Sequence, residues 1–237
     1  MNIDFAKSFR SLLTTISPRL NTSITYFVKF RRRLNLKHPQ TFNEKILYLK
    51  LKTFNKNPLI KICADKLHVR DYIEKRRLGY LLNGLIAVYD SPNEIEWDKL
   101  PISFAMKLNV GCGCNLIVRD RGSIDPSLCS EKVSTWFKGD YWKGYSELQY
   151  KDVKKYILVE EFIGDTSSNT LPLDYKFYCM NGVCKYILVC VDRGVETGRA
   201  HHSVKYFFVD RAIMKMCGTA LQTVSKTLHL ISAILFQ

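Results

Sequence analysis

The clearest alternation of apolar and polar positions runs from Ile102 to Arg119, ISFAMKLNVGCGCNLIVR. Ile102, Phe104, Met106 and Leu108 alternate with Ser103, Ala105, Lys107 and Asn109. Period two predicts a strand with its apolar face on a core and Lys107 on the opposite face. Gly111 and Gly113 predict a tight turn whose backbone can approach a ligand closely, and a second strand follows. Tyr156 to Ile163, YILVEEFI, reads as another buried strand. Glu160 and Glu161 end it on opposite faces, where an acid without a partner would cost desolvation. They are candidates for holding a ligand's sugar hydroxyls or amine. Leu173 to Val191 predicts a hairpin closed by Asn181-Gly182, a strong two-residue turn signal, with Cys179 opposite Cys184. Asp174 and Lys176 share one of its faces, either beside a ligand or as a plain charged face. Leu81 to Tyr89 is a further short strand.

Helical spacing dominates the first third of the chain. Residues 1–37 predict a helix with one basic face, where Arg31, Arg32 and Arg33 stand near Lys29 and Lys37 and Tyr26, Phe27 and Phe30 interleave. Such a face can lie on anionic lipid, although a solvated helix covering one side of the domain is the plainer reading. Thr41 and Glu44 form a capping box ahead of a helix carrying Phe42, Ile46 and Leu49 on one side. Pro58 suits the first turn of the next helix, predicted to run to about Arg77 and to stop at Gly79. Asp65, Lys66 and Arg70 fall on its exposed or half-exposed side, as a structural ion pair. Asp120 to Ser130 is a polar stretch. Trp136, Phe137, Tyr141, Trp142 and Tyr145 then crowd together, which favours core packing over base stacking.

Composition narrows the function classes. The chain has 237 residues, 46% apolar and 24% charged, as in ordinary globular proteins. Its formal net charge of +14 fits an anionic substrate, an anionic membrane surface or a nucleic acid. No period-two basic pattern supports the nucleic acid, so none is expected as a partner. Eight cysteines occur without a C-x-x-C spacing, and no paired histidine cluster completes a zinc pattern. Asp4, Lys7 and Arg10 interrupt the N-terminus, so no secretory segment is predicted. A reducing cytoplasmic setting with free thiols is therefore expected. A lysine on a strand beside a glycine turn suits a polyphosphate, with loop N–H groups cradling oxygens and the ammonium neutralising charge.

Five blocks in order carry a resemblance: TFNEKILYLK, ADKLHVRDYI, LPISFAMKLNVGCGCNLIVRD, YILVEEFI and LDYKFYCMNGVCKYILVCVDR. Over roughly residues 40–210 the chain resembles the TupA-like branch of the ATP-grasp family, whose members are found with bacterial capsule, teichuronopeptide and other surface-polysaccharide genes. The resemblance implies an α+β, ATP-grasp-like fold with a helical N-terminal region followed by antiparallel-sheet lobes, the C-terminal lobe being incomplete. It divides the chain into a basic helical segment (1–39), the ATP-grasp region (40–211) and a divergent helical tail (212–237). It implies ATP and Mg²⁺ as cofactors and a ligase-type reaction through an acyl phosphate. Lys107 matches the lysine on the α- and β-phosphates, and the Gly111–Gly113 turn matches the loop over them. Val159 to Phe162 matches the adenine-reading hinge, with Glu160 or Glu161 on the ribose. Lys176 matches a second phosphate contact, and Arg193 a clamp on phosphate or carboxylate. Apart from the resemblance, the basic charge fits an acidic sugar or carboxylate-bearing glycan precursor as acceptor without selecting one, and the Arg31–Arg33 face fits peripheral contact with an anionic membrane.

The chain departs from the family pattern in two places. Val110 stands where members usually carry histidine, and Cys112 and Cys114 stand at small and aromatic positions of the loop. No Asp or Glu follows Asp210, although the family's metal-binding acids lie in that direction. A truncated product with a foreign tail, weak or inactive as an enzyme, is the expectation. Two other classes stay open: a glycosyltransferase-like enzyme, which no DxD-type motif supports, and a basic adaptor for acidic glycan or anionic lipid.

Overall fold

The computed structural model describes residues 3–164, 172–191 and 205–210. Arg193 and the tail from residue 212 lie outside the described residues. The elements form an α+β arrangement of helices and two antiparallel sheets.

The N-terminal segment forms two helices rather than one, α1 (Ile3–Ile16) and α2 (Pro18–Phe30). Ser17 separates them: its hydroxyl accepts from the Leu20 N–H, and Pro18 occupies the first helical turn. Arg31 ends α2 with a left-handed backbone. The Arg31–Arg33 run therefore follows the helix instead of lining it. Helix α3 (Phe42–Leu49) opens on the expected capping box, with reciprocal Thr41 and Glu44 bonds. The Thr41 N–H, then those of Gln40 and Asn35, hold the Glu44 carboxyl below its ordinary range.

The long helix expected from Pro58 is broken in two, α4 (Pro58–Ala64) and α5 (His68–Lys75). Asp65 causes the break. Its backbone is extended, and its carboxylate accepts from the N–H groups of Leu67 and His68, which start the next helix.

Strands β1 (Leu85–Tyr89), β2 (Phe104–Leu108), β3 (Asn115–Val118) and β4 (Ile157–Glu161) make one sheet in the order β1-β4-β2-β3. Although Ala105 on its other face is buried as well, the apolar face of β2 is as expected, with Phe104, Met106 and Leu108 fully buried. They pack with Val118, Ile157 and Val159, and with Val133 and Trp136 of helix α6 (Pro126–Lys138). Ile102 is the exception. It precedes the strand and is 71% exposed. Helix α6 occupies part of the stretch read as merely polar; Asp125 caps it and Pro126 starts it. Three of the crowded aromatics pack as expected, Trp136 buried and Phe137 and Tyr141 against the same core, whereas Tyr145 is exposed. A short helix, α7 (Tyr141–Tyr145), follows.

Strands β5 (Asp174–Met180), β6 (Val183–Val191) and β7 (Lys205–Asp210) make the second sheet, in chain order. Asn181 and Gly182 both take positive φ, as the turn signal requires. Cys179 pairs with Cys184 in register, and both are free thiols. Among the described residues no helix is long and apolar enough to cross a membrane.

Candidate functional site

The site grows from the β2–β4 register. Lys107 pairs with Leu158 and Ala105 with Glu160, so Lys107 and Glu160 are diagonal neighbours on one face. Long side chains can meet across that diagonal. The Lys107 ammonium donates to Glu160 Oε2 at 2.6 Å. Glu160 is buried, as the cost of an acid in an apolar strand demands, and its other oxygen lies 3.6 Å from the Arg70 guanidinium. Arg70 also donates to the Asn83 carbonyl at 2.7 Å, which fixes α5 to the approach of β1. Asn83 Nδ2 in turn donates to the Glu161 carbonyl at 2.7 Å. Glu161 projects from the opposite face of β4, exposed, with its carboxylate over Gly84.

The glycine turn is held from below by Lys66. The Lys66 ammonium donates to the Gly111 carbonyl at 2.7 Å and more weakly to that of Asn109 at 3.4 Å, while its N–H donates to Asn109 O at 3.0 Å. In a trans peptide the C=O and N–H point in opposite directions. The Cys112 N–H, across its peptide plane from the Gly111 carbonyl, therefore points away from Lys66. Burial pushes the Lys66 ammonium down from its ordinary range, and the Cys114 thiol pulls it back partway.

Asn109 locks the turn to the sheet. It is fully buried; its Nδ2 donates to Asp65 Oδ2 and to the Lys154 carbonyl, each at 3.0 Å, and its Oδ1 accepts from the Tyr156 N–H at 2.9 Å. Asp65, also buried, takes a further bond of 2.7 Å with His68 Nδ1. Val110 and Cys114 turn inward to the core, whereas Cys112 is exposed. Burial pushes the Cys114 thiol up, and burial first, then the Cys114 thiol, does the same to the Tyr141 hydroxyl.

The structure thus brings Lys107, Glu160 and the Gly111–Gly113 turn onto one small region, with Lys66, Arg70, Asp65 and Asn109 supporting them. Sequence reasoning missed those four because it placed the first three on one exposed helical face. The available signal was Asp65 itself, an acid two and three residues ahead of backbone N–H groups that need a cap. Lys176 stands on the other sheet, its ammonium on the Asp174 carboxylate. Arg193 lies outside the described residues. Among the described residues no group of three or more His, Cys, Asp or Glu side chains could hold a metal ion.

The two turn glycines make different demands. Both have positive φ, 72° at Gly111 and 81° at Gly113. A Cβ on Gly111 would stand 2.8 Å from the Tyr141 ring, whereas one on Gly113 would meet nothing within 4 Å. Gly113→Ala is expected to cost about 1–2 kcal/mol from backbone strain alone. Gly111→Ala adds a clash with a packed ring, for a total of roughly 2–4 kcal/mol. Urea unfolding of the two variants checks the order.

A family model described as TupA-like ATPgrasp matches residues 44–221. No curated protein matches the chain, and no solved structure does.

Proposed function

We propose an ATP-dependent, ligase-type activity for this chain, which belongs to the TupA-like ATP-grasp family. The single observation that carries the reading is the lysine-clamped glycine turn beside the Lys107–Glu160 diagonal. A triphosphate entering there meets a cation on a rigid strand and a turn with the Cys112 N–H directed away from its clamp. Lys107 exchanges its carboxylate partner for phosphate oxygens, and Glu160, still faced by Arg70, is left to accept from the ribose hydroxyls. Lys176 and Arg193 are assigned as a second phosphate contact and a clamp on phosphate or carboxylate.

In this reading a carboxylate oxygen of the acceptor attacks the γ-phosphorus, the bond to the β-phosphate oxygen breaks, and ADP leaves with an acyl phosphate formed. An amine or similar nucleophile then attacks the acyl carbon and expels inorganic phosphate. The protein's part is positioning and charge neutralisation. The acceptor class is an acidic sugar or carboxylate-bearing glycan precursor in surface-polysaccharide assembly, supported by the +14 net charge. Calorimetric titration of the full chain with ATP, ADP and adenosine tests the nucleotide step. ATP is expected to bind saturably and to raise the thermal midpoint, with adenosine far weaker because the phosphates carry the contacts. A folded chain that takes up none of the three overturns the reading.

A further inference from the structure

Helix α1 carries an apolar stripe that nothing among the described residues covers. Phe5, Phe9, Leu12 and Ile16 recur at i, i+4, i+7 and i+11, one face of a helix, and are 61%, 45%, 58% and 67% exposed. The rings of Phe5 and Phe9 stack at 6.4 Å along the stripe. The opposite face is already committed. Thr14 Oγ1 donates to the Lys143 carbonyl at 2.6 Å, and Asn21 Nδ2 donates to Thr14, to the Gly144 carbonyl and to Ser146 Oγ. Thr14, Asn21 and Ser146 are essentially inaccessible to water, so rolling α1 over to bury the stripe would strand these groups. The stripe is therefore fixed in an outward position.

Charge identifies what it meets. Residues 5–43 hold eight Lys and Arg side chains and no Asp or Glu. Lys7, Arg19, Lys29, Arg31, Arg32, Arg33 and Lys37 are all exposed, and the three consecutive arginines leave the end of α2. Leu20 and Phe27 add exposed apolar surface on α2. We propose that α1 docks on an anionic lipid bilayer, with the Phe5–Ile16 stripe inserted at the headgroup boundary and the arginine run on the headgroup phosphates. An interfacial helix gains from both terms at once. A bare polyanion such as nucleic acid would draw the arginines but give Leu12 and Ile16 no apolar surroundings. Two copies of the chain would bring like charges together over four side chains, far less area than a stable dimer buries. This inference stands apart from the ATP reading, and its test needs no nucleotide.

The test is co-sedimentation of the full chain with vesicles of phosphatidylcholine mixed with phosphatidylglycerol, against pure phosphatidylcholine. Binding is expected only to the anionic vesicles and is expected to weaken as salt rises. The double variant Phe9→Ser/Leu12→Ser and the triple variant Arg31→Ala/Arg32→Ala/Arg33→Ala should each lower the partition coefficient about tenfold or more. Without lipid, the Phe9→Ser/Leu12→Ser chain should melt where the parent does. Absence of binding to anionic vesicles overturns the proposal. Full retention by the Phe9→Ser/Leu12→Ser variant also overturns it, leaving a polyanion patch. A drop of several degrees in that variant's lipid-free midpoint would mean another segment of the chain covers the stripe. A parent dimer that this variant turns into a monomer would mean a second copy does. Either result overturns it.

Discussion

Lys107→Ala is expected to lower ATP affinity by about tenfold to a hundredfold while the chain stays folded. The range follows from what the ammonium does. A hydrogen bond to a charged partner contributes roughly 1.5–3 kcal/mol, and here it also screens the phosphates from Glu160. Once Lys107 is gone, Glu160 keeps among the described residues only Arg70 as a cation, whose nitrogen lies 3.6 Å away. An incoming triphosphate then faces a buried carboxylate whose charge is only partly balanced. The fold tolerates the loss because the Lys107 side chain is 32% exposed, unlike that of Glu160 at 9%. Breaking such a half-solvated pair costs about 1–2 kcal/mol, well under the penalty for a fully buried one. Lys107→Met, which keeps the aliphatic stem, should lose ATP as fully as alanine and melt closer to the parent. Calorimetric titration and thermal unfolding separate the two effects. Unchanged ATP binding by either variant removes Lys107 from the phosphate site.

Most of the sheet was legible, and most of the site's support was not, for one reason. Strand alternation and the Asn181-Gly182 turn are local signals, set by pleat geometry and by φ at two residues. They placed β2, β5 and β6 and put Lys107 on the face away from the core. The break between α4 and α5 is also local in cause, but its agent is an ordinary acid instead of Gly or Pro. Leu59, Ile62, Leu67 and Ile73 fall near one helical stripe across it. Reading through Asp65 kept Lys66 and Arg70 on a solvated face. In the structure the break turns Lys66 under the glycine turn and Arg70 toward Glu160. Ile102 failed in the opposite sense: it fits the alternation but lies one turn of pleat before the ladder begins. The outward setting of the apolar stripe on α1 was not legible, because it depends on Thr14 and Asn21 facing α7 and Ser146. That pairing spans more than a hundred residues and leaves no trace in local spacing.

Asn109→Ala is expected to be the most damaging single truncation of a polar side chain in the site, costing about 3–5 kcal/mol. Asn109 is inaccessible to water, and removing its amide leaves the Tyr156 N–H and the Lys154 carbonyl without that partner. Asp65 loses one of its bonds but keeps those from Leu67, His68 N–H and His68 Nδ1. With the side-chain lock gone, the turn that Lys66 clamps keeps only the backbone bond from the Asn109 N–H to the Tyr156 carbonyl at 3.0 Å beside the start of β4, so ATP affinity should fall along with stability. Asn109→Asp separates shape from charge. It keeps an acceptor for the Tyr156 N–H and brings a second carboxylate against Asp65 Oδ2, 3.0 Å from the present amide nitrogen. The groups facing the new acid are Asp65, His68 through Asp65, and the Lys66 ammonium on the residue's own carbonyl. Like charge and burial raise the new acid's folded-state pKa above its unfolded value, near 4. The folded state then binds more protons than the unfolded one, so stability falls as pH rises through that window and is best preserved in acid. Urea midpoints measured from mildly acidic to neutral pH should diverge from the parent as pH rises. A constant offset between variant and parent would mean that Asp65 and Asn109 do not share the buried contact that positions the turn.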